Sequence, residues 1–364
     1  MSEEVAARVR AAIADHGPIG FDEYMELALY APGGFFERPP IGPRGHFVTA
    51  PHVHPFVFAH CVRTALLETW HALGEPDPFH VVELGAGDGT LAEALLDAFG
   101  ELPAPRVEYV GVEISPGARD ALGGRGLATL ERIEDLEPFD GVVFANELLD
   151  NLPFVPVRGR GEELVEVRVG LDPTGDRLLE IEVPWSREDL AIPGLSDSEE
   201  TTIPVGAFAM LDEIAARLRR GTVLLIDYGR IEGPAGTVHG YREHRDVDDV
   251  LSDPGGTDIT AGVDWTLVAG HAQALGLRTL EPVTQADALD ALGHTRWEAT
   301  MRQMQSMLQQ AGRGSEAVRV WEARSRASLL ADPGGLGGFW WLVLTTSDVP
   351  EPAWLGTARR PSTG

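Results

Sequence analysis

Acidic side chains follow two apolar runs of the chain, and their spacing suits the binding of a cationic group. Glu147 and Asp150 come three residues apart after the run at 141–145, so a helical turn would place both on one face. Two carboxylates can grip a guanidinium group through paired hydrogen bonds. The alternative is that Glu147 caps the following turn and Asp150 starts a loop. We predict these catalytic residues at the ends of the two runs: Asn146, Glu147, Asp150 and Asp227.

A glycine-rich turn at residues 83–89 has the pattern E-x-G-x-G-x-G and follows another apolar run. Glycines permit positive φ angles and let a ligand approach the backbone, and the helix that follows offers free N–H groups. A dinucleotide fingerprint requires a third glycine where Thr90 stands, and a P-loop requires a lysine that is absent here. The remaining pattern is that of the first motif of S-adenosylmethionine methyltransferases. Glu113 ends the next predicted strand, where a carboxylate can accept both ribose hydroxyls.

S-adenosylmethionine has an amino-acid part, a ribose and an adenine, and we predict contacts for each of them. The backbone of the turn should pass closest to the amino-acid part of the cofactor, and Glu83 should accept from its ammonium group through water. Glu113 should hold the ribose. An acid after the third strand should meet the adenine amino group. The predicted cofactor contacts from these segments are Glu83, Gly85, Ala86, Gly87, Glu113, Ile114, Glu134, Asp135 and Asn146.

The net charge and the cysteine count of the chain limit the kinds of ligand and partner that we expect it to bind. The net charge of −28 repels nucleic-acid phosphates and attracts a cationic substrate. Cys61 is the single cysteine, which excludes an intrachain disulfide, and no cysteine accompanies the loop histidines to complete a metal site. We therefore expect no metal, nucleic-acid or membrane partner. The acidic start of the chain, without an apolar core, leads us to expect a cytoplasmic protein.

The elements that must position these residues alternate between strand and helix from residue 80 onward, which predicts a parallel sheet with crossover helices. We expect an α/β fold with a doubly wound, mostly parallel, seven-stranded sheet of the class I, Rossmann-like type. An N-terminal helical extension, residues 1–75, should cover the active site. The core should span 76–346, with a hairpin insertion at 158–205 and a helical insertion at 284–331. Residues 196–202 and 229–263 are predicted as loops, and 347–364 as a flexible tail.

Longer motifs resemble one family. The pattern F-x-x-Y-M-x-x-A-L-Y-x-P-x-G begins at Phe21, and F-x-T-A-P begins at Phe47. Together with the turn, these segments are similar to the signatures of MidA-type class I S-adenosylmethionine-dependent methyltransferases. The resemblance covers roughly residues 15–345. The matching segments are 21–34, 47–51, 82–91, 112–116, 146–153, 226–229, 240–242 and 254–265.

The resemblance implies a class I methyltransferase fold with added elements. Eukaryotic members are mitochondrial assembly factors of respiratory complex I that dimethylate a protein arginine, so an arginine-bearing protein or peptide is the implied acceptor. Thr49 and Pro51 are implied to close over the cofactor. The substrate contacts predicted along these motifs are His46, His52, Tyr228, Asp258 and Thr260.

The chain departs from the family at two positions beside the implied substrate entrance. His46 and His52 stand where the family has Asp and Glu. The acceptor therefore stays open between an arginine side chain and a small metabolite or natural-product peptide. A non-catalytic assembly protein that keeps the cofactor pocket is a further alternative, a nicotinamide-dependent oxidoreductase is disfavoured by Thr90, and a homodimer stays open.

Overall fold

The structure is a computed structural model that describes residues 2–37, 49–100, 105–187, 190, 194–234, 236–242 and 245–359. Its centre is an eight-stranded sheet in which apolar runs are buried on both faces. We number its strands along the chain: β1 Phe79–Leu84, β2 Val107–Val112, β3 Thr129–Leu130, β4 Phe139–Asn146, β5 Leu218–Asp227, β6 Arg278–Thr279, β7 Val283–Thr284 and β8 Trp340–Thr345.

The order across the sheet is β6-β8-β5-β4-β1-β2-β3, and β7 also pairs with β8. The five strands from β5 to β3 are parallel, whereas β8 runs antiparallel to β5. The predicted parallel sheet is thus present within a mixed one. The strand expected near 278–283 is divided into β6 and β7, which makes eight strands in place of seven.

Helices cover both faces of the sheet because alternate strand residues point to opposite sides. Val142 and Phe144 of β4 pack with helices Pro55–Ala72 and Thr90–Phe99, while Val143 of the same strand packs with helices Val205–Arg217 and Trp265–Ala274. Additional helices follow β2 and precede β8. They are Pro116–Gly124, Gln285–Ala291, His294–Gln310 and Gly314–Ala327, with short 3₁₀ turns at Ile133–Asp135, Leu149–Asn151, Ser328–Ala331 and Leu336–Gly338.

The N-terminal extension joins the hairpin insertion. Helix Ser2–His16 leads to strand Ile19–Gly20, helix Phe21–Met25 and a π-helix at Glu26–Tyr30, and the short helices Phe35–Glu37 and Ala50–Val53 follow. Strand Ile19–Gly20 pairs with the inserted hairpin, so extension and insertion share one five-stranded sheet. Its other strands are Val155–Arg160, Glu163–Leu171, Leu178–Pro184 and Glu200–Ile203.

Two segments predicted as loops contain strands. The acidic stretch at 196–202 ends in strand Glu200–Ile203, because these residues pair antiparallel with Val155–Arg160, and Glu200 also forms an ion pair with Arg158. Residues 229–263 include the three-stranded sheet His239–Arg242, Arg245–Val247 and Asp258–Thr260, and the parallel pair Gly229–Arg230 with Val263–Asp264. Pairing partners distant in sequence decide both cases, and the local residue types do not reveal them.

The chain end is also more ordered than expected. Residues 347–364 were predicted as a flexible tail, but Ala353–Ala358 is a helix whose Trp354 and Leu355 are buried. The Trp354 ring meets Trp341 of β8 edge to face, with 5.9 Å between the ring centroids. Within the described ranges, no helix combines the length and apolar character required to cross a membrane.

Candidate active site

The carboxyl ends of four parallel strands meet at one edge of the sheet. Leu84 of β1 pairs with both Val112 of β2 and Ala145 of β4, and Ile226 of β5 pairs with Asn146. The residues that follow these strands therefore lie side by side, around a cavity of about 840 Å³. The predicted site residues that line this cavity are Thr49, Gly85, Glu113, Ile114, Glu147, Asp150, Asp227, Tyr228, Asp258 and Thr260.

The glycine-rich turn forms one wall of the cavity through Gly85. Gly85, Gly87 and Gly89 have φ angles of 67°, 55° and 80°, values that L side chains rarely adopt. A Cβ atom on Gly85 would also lie 2.8 Å from a methyl carbon of Leu148. The turn therefore requires glycine here for both its backbone conformation and its contact with the next loop.

Glu113 lies buried at the same end of the cavity and fixes the turn. It accepts the N–H of Gly87 at 2.9 Å and the N–H of Ser115 at 2.8 Å. Burial raises the pKa of Glu113, although these N–H groups oppose the shift. The predicted ribose residue thus faces the cavity with a carboxylate already oriented by the backbone.

Two predicted cofactor contacts lie elsewhere. Glu134 and Asp135 are exposed on the 3₁₀ turn after β3, and the residues that reach the cavity from this segment are Glu131, Arg132 and Ile133. Glu134 and Asp135, for which an adenine contact was predicted, are therefore not among the described residues that line the cavity. The sequence did not fix the register here because β3 is only two residues long.

Glu83 lies beneath the glycine turn and is buried. It accepts the Tyr109 hydroxyl at 2.5 Å, and burial raises the pKa of Glu83 to about 8. Glu83 is one of several further predicted contacts that are not among the described residues lining the cavity. They are Pro51, Glu83, Ala86, Gly87 and Asn146.

Asp227 organises the opposite end of the cavity. Its Oδ2 atom accepts the N–H groups of Leu148, Leu149 and Asp150 at 3.0, 2.8 and 3.2 Å. Its Oδ1 atom accepts the N–H of Tyr228 at 2.8 Å. The carboxylate is thereby surrounded by backbone donors, and it holds the loop after β4 in place.

Glu147 has a strained backbone within that loop. Its φ angle is 52°, and a non-glycine residue in this region costs about 1–3 kcal/mol. Its Oε1 atom accepts the N–H of Ala50 at 2.8 Å and the side-chain amide of Asn146 at 3.1 Å. Burial raises the pKa of Glu147 to about 7, against the effect of these two donors. Residues held in such conformations are concentrated at active sites.

Asp150 forms a hydrogen-bonded relay with two other predicted residues. Its Oδ2 atom accepts the Thr260 hydroxyl at 2.7 Å, and the Thr260 oxygen lies 2.5 Å from the Tyr228 hydroxyl. Burial raises the pKa of Asp150 to about 6, although the Thr260 hydroxyl lowers it. The Oδ1 atom of Asp150 and the Oδ1 atom of Asn146 are buried acceptors that have no hydrogen-bond partner in the described part of the chain.

Asp258 extends this acidic end through Asn151, whose side-chain amide donates to Asp258 at 2.9 Å. Burial, followed by the nearby Asp150, raises the pKa of Asp258 well above its usual range. The backbone carbonyl of Asn151 accepts the Tyr30 hydroxyl at 2.8 Å. The sequence analysis missed several residues that line this end: Tyr30, Asn151, Tyr241 and Phe339. Asn151 follows Asp150 directly, and Tyr30 and Tyr241 lie inside recognised motifs, which is the signal that could have identified them.

Two of the three loop histidines, His52 and His54, are among the described residues. His46 lies outside the described residues. His52 was predicted to contact substrate, but its Nε2 atom lies 3.4 Å from Asp88 Oδ2 in the glycine turn and its Nδ1 atom lies 2.8 Å from Thr49 Oγ1. His54 contacts the Trp297 ring edge to face. The His52 side chain therefore belongs to the cofactor end of the site.

The residues present fit S-adenosylmethionine. Gly85 leaves the cavity wall open at the turn, Glu113 offers a buried carboxylate, and a separate set of acids lies at the far end. A nucleoside-bearing ligand can lie along Glu113 and Ile114, with its reactive end toward Glu147 and Asp150. The parallel sheet, the glycine-rich turn and the buried carboxylate after β2 define a protein that binds a nucleoside-bearing ligand at the carboxyl ends of its strands.

The chain belongs to a family of S-adenosyl-L-methionine-dependent methyltransferases, whose model matches residues 61–283, more than half of the chain. It is 28% identical to the mitochondrial protein arginine methyltransferase NDUFAF7 homologue of Drosophila melanogaster, over 92% of this chain and 82% of that protein. The human NDUFAF7 protein is 26% identical over 77% of this chain and 71% of its own. A Burkholderia thailandensis protein solved with S-adenosyl-homocysteine superimposes with a TM-score of 0.83, at 28% identity, over 96% of this chain and 93% of that one.

These comparisons confirm the predicted methyltransferase activity and its cofactor, S-adenosylmethionine. They also contradict one prediction. The curated relatives are named as mitochondrial proteins, so the expectation of a cytoplasmic protein is wrong. The acidic first residues and the absence of an apolar core, on which that expectation depended, do not separate the two locations.

We expect Glu113→Ala to raise the dissociation constant of S-adenosylhomocysteine roughly 10- to 100-fold, because hydrogen bonds to a charged group contribute about 1.5–3 kcal/mol. The variant also removes the acceptor that fixes the Gly87 N–H. Calorimetric titration with S-adenosylhomocysteine measures the effect. Glu108→Ala, an exposed acid on the same strand, is the matched control. An affinity within twofold of the wild type would contradict the assignment of Glu113.

Proposed function

We propose that this methyltransferase transfers methyl groups to the guanidinium group of a protein arginine. The observation that supports the proposal most is the Oδ1 atom of the cavity-lining Asp150, a buried acceptor that has no hydrogen-bond partner in the described part of the chain, as is also true of Asn146 Oδ1 at the end of β4. Buried acceptors without partners destabilise a protein unless a ligand satisfies them. A guanidinium group carries five N–H donors and a positive charge, and it supplies both needs.

Neighbouring residues suit the same acceptor. The half-buried Glu147 and Asp150 and the buried Asp258 place carboxyl groups around one end of the cavity, and burial raises the pKa of each. Like charges held together in a low-dielectric site favour the entry of a cation. The aromatic residues Tyr30 and Tyr241 line the same end, and aromatic rings attract cations.

The bound cofactor supplies an electrophilic methyl group on a sulfonium centre. In our proposal the chain orients the acceptor nitrogen and excludes water, which are the main requirements of a direct displacement. Glu147 and Asp150 accept hydrogen bonds from the guanidinium, and Asp150 takes the proton that the nitrogen loses. Asp227 was predicted as catalytic, but its oxygens are engaged by backbone N–H groups, so we assign it a positioning role.

The sheet order supports the finer class I assignment. If β6 and β7 are treated as one interrupted strand, seven strands remain, with a single antiparallel strand, β8, inserted beside β5. The N-terminal extension contributes Glu26, Tyr30 and Phe36 to the cavity wall, in keeping with its proposed role as a cover. A homodimer stays a prediction.

Transfer to arginine can be tested directly. Incubation of the enzyme with S-adenosylmethionine labelled at the methyl group and a cell lysate should label a protein band. Acid hydrolysis of that band should then release methylarginine, because the proposed site recognises a guanidinium. A boiled-enzyme sample controls for other methyltransferases in the lysate. Label found only in small molecules would contradict a protein acceptor, and label in another amino acid would contradict the arginine.

A further inference from the structure

The short segment Thr49–Val53 is fastened to both ends of the active site. Its Ala50 N–H donates to Glu147 Oε1 at the acceptor end, at 2.8 Å. At the cofactor end, His52 Nε2 lies 3.4 Å from Asp88 Oδ2, in the glycine-rich turn. Thr49 lines the cavity between these two contacts. The segment thus bridges two loops that are distant in sequence.

Both ring nitrogens of His52 take part in the contacts that hold this segment. Its Nδ1 atom pairs with Thr49 Oγ1 at 2.8 Å, which fixes the ring against its own segment. Only 9% of its side chain is exposed, so solvent competes little for these contacts. These contacts connect the glycine turn to the segment that carries Thr49 and Ala50.

Asp88 is a suitable anchor for the histidine. Although burial opposes it, hydrogen bonds from His52 and Thr90 lower the pKa of Asp88 to about 2. The Asp88 carboxyl also accepts the N–H of Thr90 at 3.0 Å, at the start of the helix Thr90–Phe99. Its ionised form is therefore held by the same turn that carries Gly85 and Gly87.

We propose that His52 is a positioning residue that couples occupation of the cofactor site to the orientation of Glu147. With the cofactor in place, the glycine turn and Asp88 are fixed, His52 holds Thr49–Val53 against them, and Ala50 then holds the Glu147 carboxylate. Without the His52 link, the segment can separate from the turn while the remaining site stays intact. The proposal requires that the cofactor binds beside the glycine-rich turn, and it does not depend on the identity of the methyl acceptor.

The physical basis is a difference in ligand contact between two arrangements of one segment. A ligand shifts a conformational equilibrium only as far as it binds one arrangement better than the other. Thr49 lines the cavity in the arrangement seen here, so a bound cofactor product favours it. Loss of the His52–Asp88 contact should then weaken ligand binding mainly through faster release.

Variants of His52 test this link against S-adenosylhomocysteine. We expect His52→Ala to weaken binding about tenfold, the effect of removing one hydrogen bond to a charged group. His52→Gln places its amide where Nε2 lies and should bind within about twofold of the wild type. His52→Asn reaches only the Thr49 contact and should behave like His52→Ala. Calorimetry gives the affinity, and stopped-flow fluorescence gives the release rate.

A double-mutant cycle with Asp88→Asn shows whether the two side chains act together. The double variant should bind no more weakly than the weaker single variant, whereas independent side chains would multiply their effects and overturn the proposal. His71→Ala, an exposed histidine on the helix Pro55–Ala72, is the control and should bind as the wild type does.

Hydrogen exchange of the peptide that spans residues 49–53 separates coupling from a merely structural role. S-adenosylhomocysteine should slow exchange of this peptide in the wild type and in His52→Gln, and should not do so in His52→Ala. An affinity unchanged in His52→Ala, or ligand-dependent protection that persists in it, would overturn the proposal. Folding of each variant is checked by its melting temperature before titration.

Discussion

Asp150→Asn is expected to lower kcat by about 10²- to 10⁴-fold, the usual contribution of a general acid or base, while S-adenosylhomocysteine binds almost as tightly as in the wild type. Asparagine keeps the size of the side chain and one acceptor for the Thr260 hydroxyl. It replaces the Oδ1 acceptor, which has no partner among the described residues, by an N–H₂ donor that would oppose the donors of a guanidinium, and asparagine cannot take a proton.

Single-turnover transfer of a labelled methyl group measures this effect on the protein band identified in the lysate experiment. Asp120→Asn, an exposed aspartate on the helix Pro116–Gly124, is the control and should leave the rate unchanged. A rate within threefold of the wild type would remove Asp150 from the catalytic residues while leaving the cofactor assignment in place.

The pH dependence follows from the same carboxyl groups. Burial raises the pKa of Asp150 to about 6 and that of Glu147 to about 7. Both groups must be ionised to accept the guanidinium, so kcat/KM should rise as pH increases through this interval and fall toward acid. Because the two groups interact, the acidic limb belongs to the pair. Asp150→Asn should leave a single, shallower step on that limb.

Asp227→Ala should be the most destabilising substitution in the site, lowering the free energy of unfolding by about 3–5 kcal/mol. It removes the acceptor of four backbone N–H groups, that of the buried Leu149 and those of the half-buried Leu148, Asp150 and Tyr228. One effect opposes this. Burial and the nearby Asp150 raise the pKa of Asp227, so its charge is itself costly. The backbone donors outweigh that cost because several are lost at once.

Denaturant unfolding without ligand measures the change, and Asp227→Asn distinguishes the two effects. Asparagine removes the charge but keeps one acceptor oxygen, so we expect a smaller loss than for alanine. Asp212→Ala, on the exposed face of the helix Val205–Arg217, is the control for removing an acid. If Asp227→Asn were more stable than the wild type, charge repulsion and not backbone pairing would dominate at this position.

The cofactor end of the site was more predictable than the acceptor end. The E-x-G-x-G-x-G turn, the apolar runs around it and the acid at position 113 are local features, and each lies where the sequence placed it. The acceptor end is assembled from separate segments. Tyr30 comes from the π-helix, and Tyr241 comes from a small sheet that was predicted as a loop. No local pattern shows that these residues share one cavity.

Individual roles also required the tertiary structure. Asp227 ends an apolar strand, as a catalytic acid would, and only the positions of four backbone N–H groups indicate a positioning role. His52 looked like part of the substrate entrance, yet its ring contacts Asp88. Trp354 lies in a Pro-containing segment that the sequence predicts to be flexible, but it is buried and its ring packs against Trp341.

The sequence by itself determined the class of fold, the glycine turn and the nucleoside-bearing cofactor, because strand periodicity and backbone requirements are properties of neighbouring residues. The tertiary structure decided which carboxyl groups are held by backbone donors, as Asp227 is, and which we can propose for contact with the acceptor. Those roles depend on burial and on partners far along the chain. The Oδ1 atoms of Asn146 and Asp150 show this most plainly. That they have no hydrogen-bond partner among the described residues follows only from the three-dimensional positions of those residues.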